Sequence, residues 1–418
     1  MARSNTCYLT LLVIVLFLAL SCKTNGAILR SSIASWNPAI VANHCDWKGI
    51  KCAASGGAVT ELTLQSLSLS GSVPASVCEL KNLNRLDLSY NNLTGAFPTA
   101  SLYAWKKLRF LDISNNDFTG RLPADIDALS PVMEHLNLST NSFIGEVPAA
   151  VARLPALKSL ILDTNNFTGS YPEAEISSLA GLEFLTLANN AFSPAPVPLG
   201  FAKLTKLTYL WMGGMDLTGE IPEAFAGLTE LTLLAMESNH LTGPIPAWVW
   251  QPRKLQYIYL YDNALSGELT RNVTAVNLIQ LDVSTNQLTG EIPVAFGNLN
   301  NLEFLYLYMN QFTGTIPASI GLLPQLRDIR IFNNQLSGEL PPELGELPTN
   351  LADCMMLEDL MLQGNLFSGD FPAKIWSLPK LRRVMIQDNR FTGTLPAEIS
   401  ITIIRIEIRN NMFSGFIP

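Results

Sequence analysis

The sequence predicts a solenoid: a stack of short coils with a curved parallel β-sheet on its concave face and irregular or 3-10 segments with short strands on its convex face. Three observations carry that expectation. The pattern Leu-x-x-Leu-x-Leu-x-x-Asn-x-Leu/Phe-x-Gly-x-Ile/Leu/Val-Pro recurs from residue 59 onward in about fifteen copies. Its glycine advances from Gly71 to Gly338 in eleven steps over 267 residues, or about 24 per step. Apolar residues make up 48% of the 418 residues and charged ones only 15%, against roughly 25% charged in an ordinary soluble domain. Length alone suggests two or three globular domains, but a repeat this long overrides that prior.

Each position of the pattern has a physical task. In Leu278, Leu281 and Val283 the alternation marks a short strand whose apolar side chains point into the coil while their neighbours point out. The asparagine, here Asn286, turns the chain, and its amide can bond backbone groups of the adjacent coil that would otherwise be buried unpaired. Gly290 permits the tight bend and Pro293 ends pairing on the far side. No coil buries its own core, so stacking supplies it.

The register breaks once. Gly338 to Gly369 spans 31 residues, seven more than one repeat, and Gly-Glu-Leu-Pro occurs at 338–341 and again at 345–348. This phase jump at 338–348 reads as loss of repeat sequence between two similar tetrads, or as a seven-residue insertion on the convex side. In both cases the leucine register resumes at Leu357, Leu360 and Leu362, so the flanking strands should pair.

Residues 1–26 read as a signal peptide. Arg3 precedes an apolar run from Leu9 to Leu20, too short to span ~30 Å of hydrocarbon but suited to a signal core. Cleavage fits before Cys22 or before Ala27, which leaves 27–58 as an N-terminal cap and 59–418 as repeats. Cys45 and Cys52 flank a tight turn, and an oxidising compartment favours a disulfide there. With only His44 nearby, the pair does not complete a tetrahedral metal site. Cys78 and Cys354 stand alone and read as small buried hydrophobes.

A net charge of −8 with three histidines counts against nucleic-acid binding. His44, His135 and His240 fall on distant coils, so no triad or metal cluster assembles. Asp87, Asp112, Asp163 and Asp282 recur at one outward slot and read as solvated strand positions. Sequons at Asn92, Asn137, Asn166 and Asn272 point to N-glycosylation of an exported chain. A glycan on Asn137, within a strand, would keep the fourth repeat clear of ligand.

Outward aromatics gather in the later coils: Tyr209, Trp211, Tyr257, Tyr259, Tyr261, Phe304, Tyr306, Tyr308 and Phe332. Such a track is a common recognition surface. The alternative is a ladder of rings that stabilises the sheet by ~0.5 kcal/mol per pair. Three outward tyrosines in one strand exceed what a ladder needs.

The Thr-Gly-Glu-Ile-Pro endings at 218–222 and 289–293 resemble the plant-specific leucine-rich repeat. Trp36 followed by Cys45-Asp46-Trp47-Lys48-Gly49-Ile50-Lys51-Cys52 is similar to the N-terminal cap of plant receptor-like kinase ectodomains, and Tyr257-Ile258-Tyr259-Leu260-Tyr261 looks like their HAESA-like branch. The resemblance implies a leucine-rich-repeat solenoid that binds a secreted peptide on its concave face, with a co-receptor ectodomain as further partner and no cofactor. That branch commonly holds the peptide carboxylate with an Arg-x-Arg pair on one strand. The pair is missing here, and Arg383, Arg405 and Arg409 are the substitutes, with Arg330 further up.

The chain departs from that family in other ways. No kinase motif occurs, and Asp370-Phe371 is followed by Pro372, so phosphate transfer is not expected. No second long apolar run is found, the cap is short, and no cysteine pair closes the C-terminal coil, which suggests a receptor ectodomain truncated before its membrane and kinase regions. The competing expectation is a stand-alone secreted inhibitor or decoy that binds a cell-wall hydrolase or another protein.

Overall fold

The computed structural model describes residues 43–54, 57–73, 80–345 and 356–416. The signal segment 1–26, the cap residues up to 42 including Trp36, Cys78, Cys354 and most of the second tetrad lie outside the described residues. The chain divides into two compact units, Met1–Ser193 and Pro194–Pro418.

In the first unit, β1 (Ile50–Cys52) pairs antiparallel with β2 (Val59–Thr63). Parallel to β2 follow β3 (Arg85–Asp87), β4 (Phe110–Asp112), β5 (His135–Asn137), β6 (Ser159–Ile161) and β7 (Phe184–Thr186). The central leucines Leu86, Leu111, Leu136, Leu160 and Leu185 face one another in register and are buried. Each such leucine contributes roughly 1.5–3 kcal/mol. A disulfide joins Cys45 to Cys52, and with both sulfurs committed to each other the cluster with His44 offers no thiolate to a metal.

The second unit carries β8 (Tyr209–Trp211), β9 (Leu233–Ala235), β10 (Tyr257–Tyr259), β11 (Gln280–Asp282) and β12 (Phe304–Tyr306). They continue into β13 (Asp328–Arg330), β14 (Asp359–Met361), β15 (Arg383–Met385) and β16 (Arg405–Glu407), all parallel. The parallel strands of the two units together match the copies expected from the repeat. On the far side of each coil, 3-10 turns such as Glu223–Gly227 and Val294–Asn298 alternate with short strands. Proline precedes each of these turns, at Pro222 and Pro293, where its fixed φ suits the entry. No helix among the described residues is long and apolar enough to cross a membrane.

The asparagines form a ladder that satisfies buried backbone. Asn286 Nδ2 donates to Leu260 O in the previous coil at 2.9 Å and to Val283 O and Ser284 O in its own. Its Oδ1 accepts from Leu265 N at 3.0 Å. The arrangement repeats in both units, for example at Asn116 and Asn334. Two described coils break it: Leu67 and Met215 stand in the asparagine slot, and the next coil's asparagine accepts two amides instead, Asn91 Oδ1 from Leu67 N and Leu69 N and Asn239 Oδ1 from Met215 N and Leu217 N.

Across the phase jump, β13 pairs directly with β14 in the register Ile329 to Leu360. Behind it Ser337–Gly338 pairs with Leu366–Asp370. The sheet therefore passes the irregularity without losing a rung; residues 346–355 lie outside the described residues.

Candidate functional site

Three outward columns run across the second unit, one for each alternate residue of a strand and the turn after it. The first holds Tyr209, Leu233, Tyr257, Gln280 and Phe304. The second holds Trp211, Ala235, Tyr259, Asp282 and Tyr306, and the third Gly213, Glu237, Tyr261, Ser284 and Tyr308. Large rings on β8, β10 and β12 alternate with Leu233 and Ala235 of β9 and Gln280 and Asp282 of β11. That alternation opens a groove of about 550 Å³ lined by Tyr209, Trp211, Tyr259, Tyr261 and Tyr308 around Glu237 and Asp282.

All nine expected aromatics face outward, and all are half-buried rather than exposed. Five line the groove. Tyr257, Phe304, Tyr306 and Phe332 flank it, and rings do touch: Tyr257 and Tyr259 centroids lie 6.2 Å apart, and Tyr308 stacks on Phe332 at 4.5 Å. Rings that touch one another and rings that line the groove are thus partly the same side chains. Tyr259 donates to Gln280 Oε1 at 3.1 Å, and burial with the charges of Tyr257 and Asp282 pushes its hydroxyl up to about 12.

Two acids at the floor escaped sequence reasoning. Glu237 is only 9% exposed; its Oε1 accepts the Trp211 indole N–H at 2.6 Å, and its Oε2 has no partner. Asp282, expected to be solvated, is buried and accepts Ser284 N at 3.1 Å and Ser284 Oγ at 2.6 Å through one oxygen. Burial raises both carboxyls above the ordinary range. Asp87 and Asp163 are likewise buried, and Asp112 is half-buried, each tied to a neighbouring hydroxyl or amide. Ser89, Ser114 and Ser284 engage the acid two residues before them, and Thr186 of the next coil engages Asp163, so an outward position is not a solvated one. A signal for Glu237 was legible: an acid beside Ala235 and opposite Gly213, where two small neighbours leave room for it.

The arginines are largely occupied. Arg383 Nε donates to Asp359 Oδ1 at 2.6 Å and its second nitrogen to Asp359 Oδ2. Arg405 donates to Glu407 at 2.8 Å. Arg330 is held by Asp328 at 2.6 Å and lies 4.5 Å from the Tyr306 ring centre, while Tyr306 donates to Asp328 at 2.9 Å. Of these four, Arg409 is exposed and has no carboxylate partner among the described residues. Of the sequons, Asn92, Asn166 and Asn272 are exposed. Asn137 is half-buried, and its Nδ2, the atom a glycan would take, donates to Asp112 Oδ2 at 3.0 Å.

The repeat, the asparagine ladder and the parallel sheet define a leucine-rich-repeat solenoid. A Leucine Rich Repeat family model matches residues 82–101, 107–129, 277–299, 301–323 and 325–347. The chain is similar over nearly its whole length to the ectodomains of plant leucine-rich-repeat receptor kinases. The solved Arabidopsis receptor kinase HAESA, in complex with the peptide hormone IDA and the co-receptor SERK1, is 32% identical with a TM-score of 0.85, covering 97% of this chain and 66% of that one. A TDR receptor is 32% identical with a TM-score of 0.74, covering 85% of this chain and 65% of that chain. The leucine-rich repeat receptor protein kinase EMS1 of Arabidopsis thaliana is 46% identical over 61 residues, 15% of this chain and 5% of that protein. The chain therefore spans about two thirds of these solved ectodomains, and its matched segment is a small part of the curated kinase.

Proposed function

We propose that this chain is an extracellular recognition module that binds a secreted peptide along the outward face of its second unit, with a co-receptor ectodomain as further partner. The observation that carries the reading is the groove: five rings around two buried acids on a rigid sheet, a concave site with a few convergent polar groups. An extended peptide crossing the parallel strands meets one coil per ~4.8 Å, so neighbouring peptide residues read neighbouring coils. The likeness to HAESA, solved with a peptide hormone and a co-receptor, supports the same direction.

The test is a panel of secreted-type peptides, some without Lys or Arg, titrated calorimetrically against the parent chain and against Tyr261→Ala and Tyr257→Ala. Tyr261 lines the groove and Tyr257 flanks it. A buried ring at a hot spot is typically worth about 2 kcal/mol, so Tyr261→Ala should weaken a bound peptide roughly 30-fold and Tyr257→Ala far less. Equal melting temperatures would show that both variants fold. Equal loss in both variants, or no peptide bound at all, refutes the groove as the site.

A further inference from the structure

The floor of the groove holds two buried acids with no basic residue beside them in its lining. No Lys, Arg or His lines it among the described residues. Glu237 Oε2 is buried without a partner although its side chain is more than nine-tenths enclosed, and Asp282 spends its hydrogen bonds on one oxygen only. Arg330, a cation whose charge reaches Asp282, is bound by Asp328. Around these acids stand the faces and edges of Tyr209, Trp211, Tyr259, Tyr261 and Tyr308. A buried carboxylate oxygen left unpaired is expensive unless a partner arrives, and aromatic faces attract cations.

We propose that the groove is a subsite for the cationic head group of a ligand side chain, a guanidinium or ammonium that reaches Glu237 and Asp282 between the tyrosine and tryptophan rings. The inference rests on the peptide reading above for the source of that side chain. A guanidinium fits best, because its planar fork stacks on rings and can present N–H donors to both acids. The groove holds such a group with room for the stem: about 550 Å³ lies within the range of ordinary ligand pockets, about 300–1,000 Å³. Gly213 helps to shape it, since a Cβ there would collide with the Glu237 carboxyl; the glycine lets that carboxyl lie back against the strand and leaves the centre open. The site therefore differs from a carboxylate anchor. It selects a positive residue within the ligand.

The test uses small probes so that it does not depend on finding the natural peptide. N-acetyl-arginine methylamide, N-acetyl-citrulline methylamide and agmatine are titrated against the full chain by ligand-observed NMR. The blocked arginine should bind at least about tenfold more tightly than its neutral isostere, in line with a desolvated cation–π and charge contact. Glu237→Gln, which keeps the shape and an acceptor for Trp211, should erase that difference, and circular dichroism of the variant checks that it folds. Equal binding of arginine and citrulline, or binding of neither, overturns the inference while leaving the peptide panel to decide the broader reading. Agmatine binding without blocked arginine would assign the cation to a free amine and overturn the side-chain assignment.

Discussion

The carboxyl group of Glu237 lies in the space that a Cβ on Gly213 would fill, and from there it accepts the Trp211 indole N–H at 2.6 Å. Glu237 and Trp211, on two adjacent coils, therefore both depend on one missing side chain. Gly213→Ala should push the carboxyl into the groove and break the indole bond. The Trp211 indole N–H resonance would then lose the shift of a charge-assisted hydrogen bond, and the Glu237 carboxyl would titrate closer to its ordinary value. An unchanged indole resonance in the variant would show that the chain absorbs the methyl elsewhere.

Burial raises the Glu237 and Asp282 carboxyls, and that has a sign for stability. A raised acid is easier to hold protonated in the folded than in the unfolded chain, so its contribution is full below the ordinary carboxylate pKa, about 4, and is lost as pH rises through the folded value. Glu237→Gln should therefore gain in melting temperature over the parent at neutral pH. The gap should close in acid below about pH 4. A gap that widens on acidification would mean that the glutamate is stabilised as an anion.

Arg383 tests the difference between a structural pair and a ligand contact. Asp359 is buried and takes both hydrogen bonds of the guanidinium. Arg383→Gln should lower stability in urea by about 1–2 kcal/mol, a figure between a neutral hydrogen bond and a fully buried ion pair, because the arginine is partly exposed. Were Arg383 instead the anchor of a peptide carboxylate, stability would hold while affinity for free-carboxylate peptides fell.

Asn286→Ala removes a side chain that serves three carbonyls and one amide across two coils. Leaving such groups buried and unpaired costs about 1–3 kcal/mol for each that water cannot reach, so a loss of at least about 2 kcal/mol is expected in denaturant unfolding. A loss below about 0.5 kcal/mol, the range of ordinary surface changes, would show that the turn hydrogen-bonds itself without the ladder.

Asn137 separates sequons that differ only in their surroundings. Its Nδ2 is held by Asp112 on the adjacent strand, whereas Asn92, Asn166 and Asn272 stand exposed. Glycopeptide mass spectrometry of the secreted, folded protein should find Asn137 bare and the other three modified. Full occupancy at Asn137 would require the Asp112 contact to be dispensable.

Periodicity alone determined the coils, the inward direction of strand leucines such as Leu281, the role of Asn286 and its equivalents, and the outward course of the aromatic track. These are local facts: a repeat of about 24 residues forces each coil to bury the same positions against its neighbours, so one copy predicts the rest. The pairing of β13 with β14 across the phase jump was legible for the same reason, because the leucine register on each side decides which strands meet. What periodicity could not decide was the fate of polar side chains at outward slots. Asp282 and Glu237 read as solvated or went unnoticed, and Arg383 read as free for a ligand. For Arg383 and Glu237 the pairing depends on which residue the adjacent coil presents at the same slot, Asp359 beside Arg383 and Gly213 beneath Glu237, and for Asp282 on how the turn folds Ser284 back onto it. The sequence names the occupant of each slot, but only stacking in three dimensions brings its neighbours within hydrogen-bonding distance, and there the dielectric and the partners decide what each charge can do.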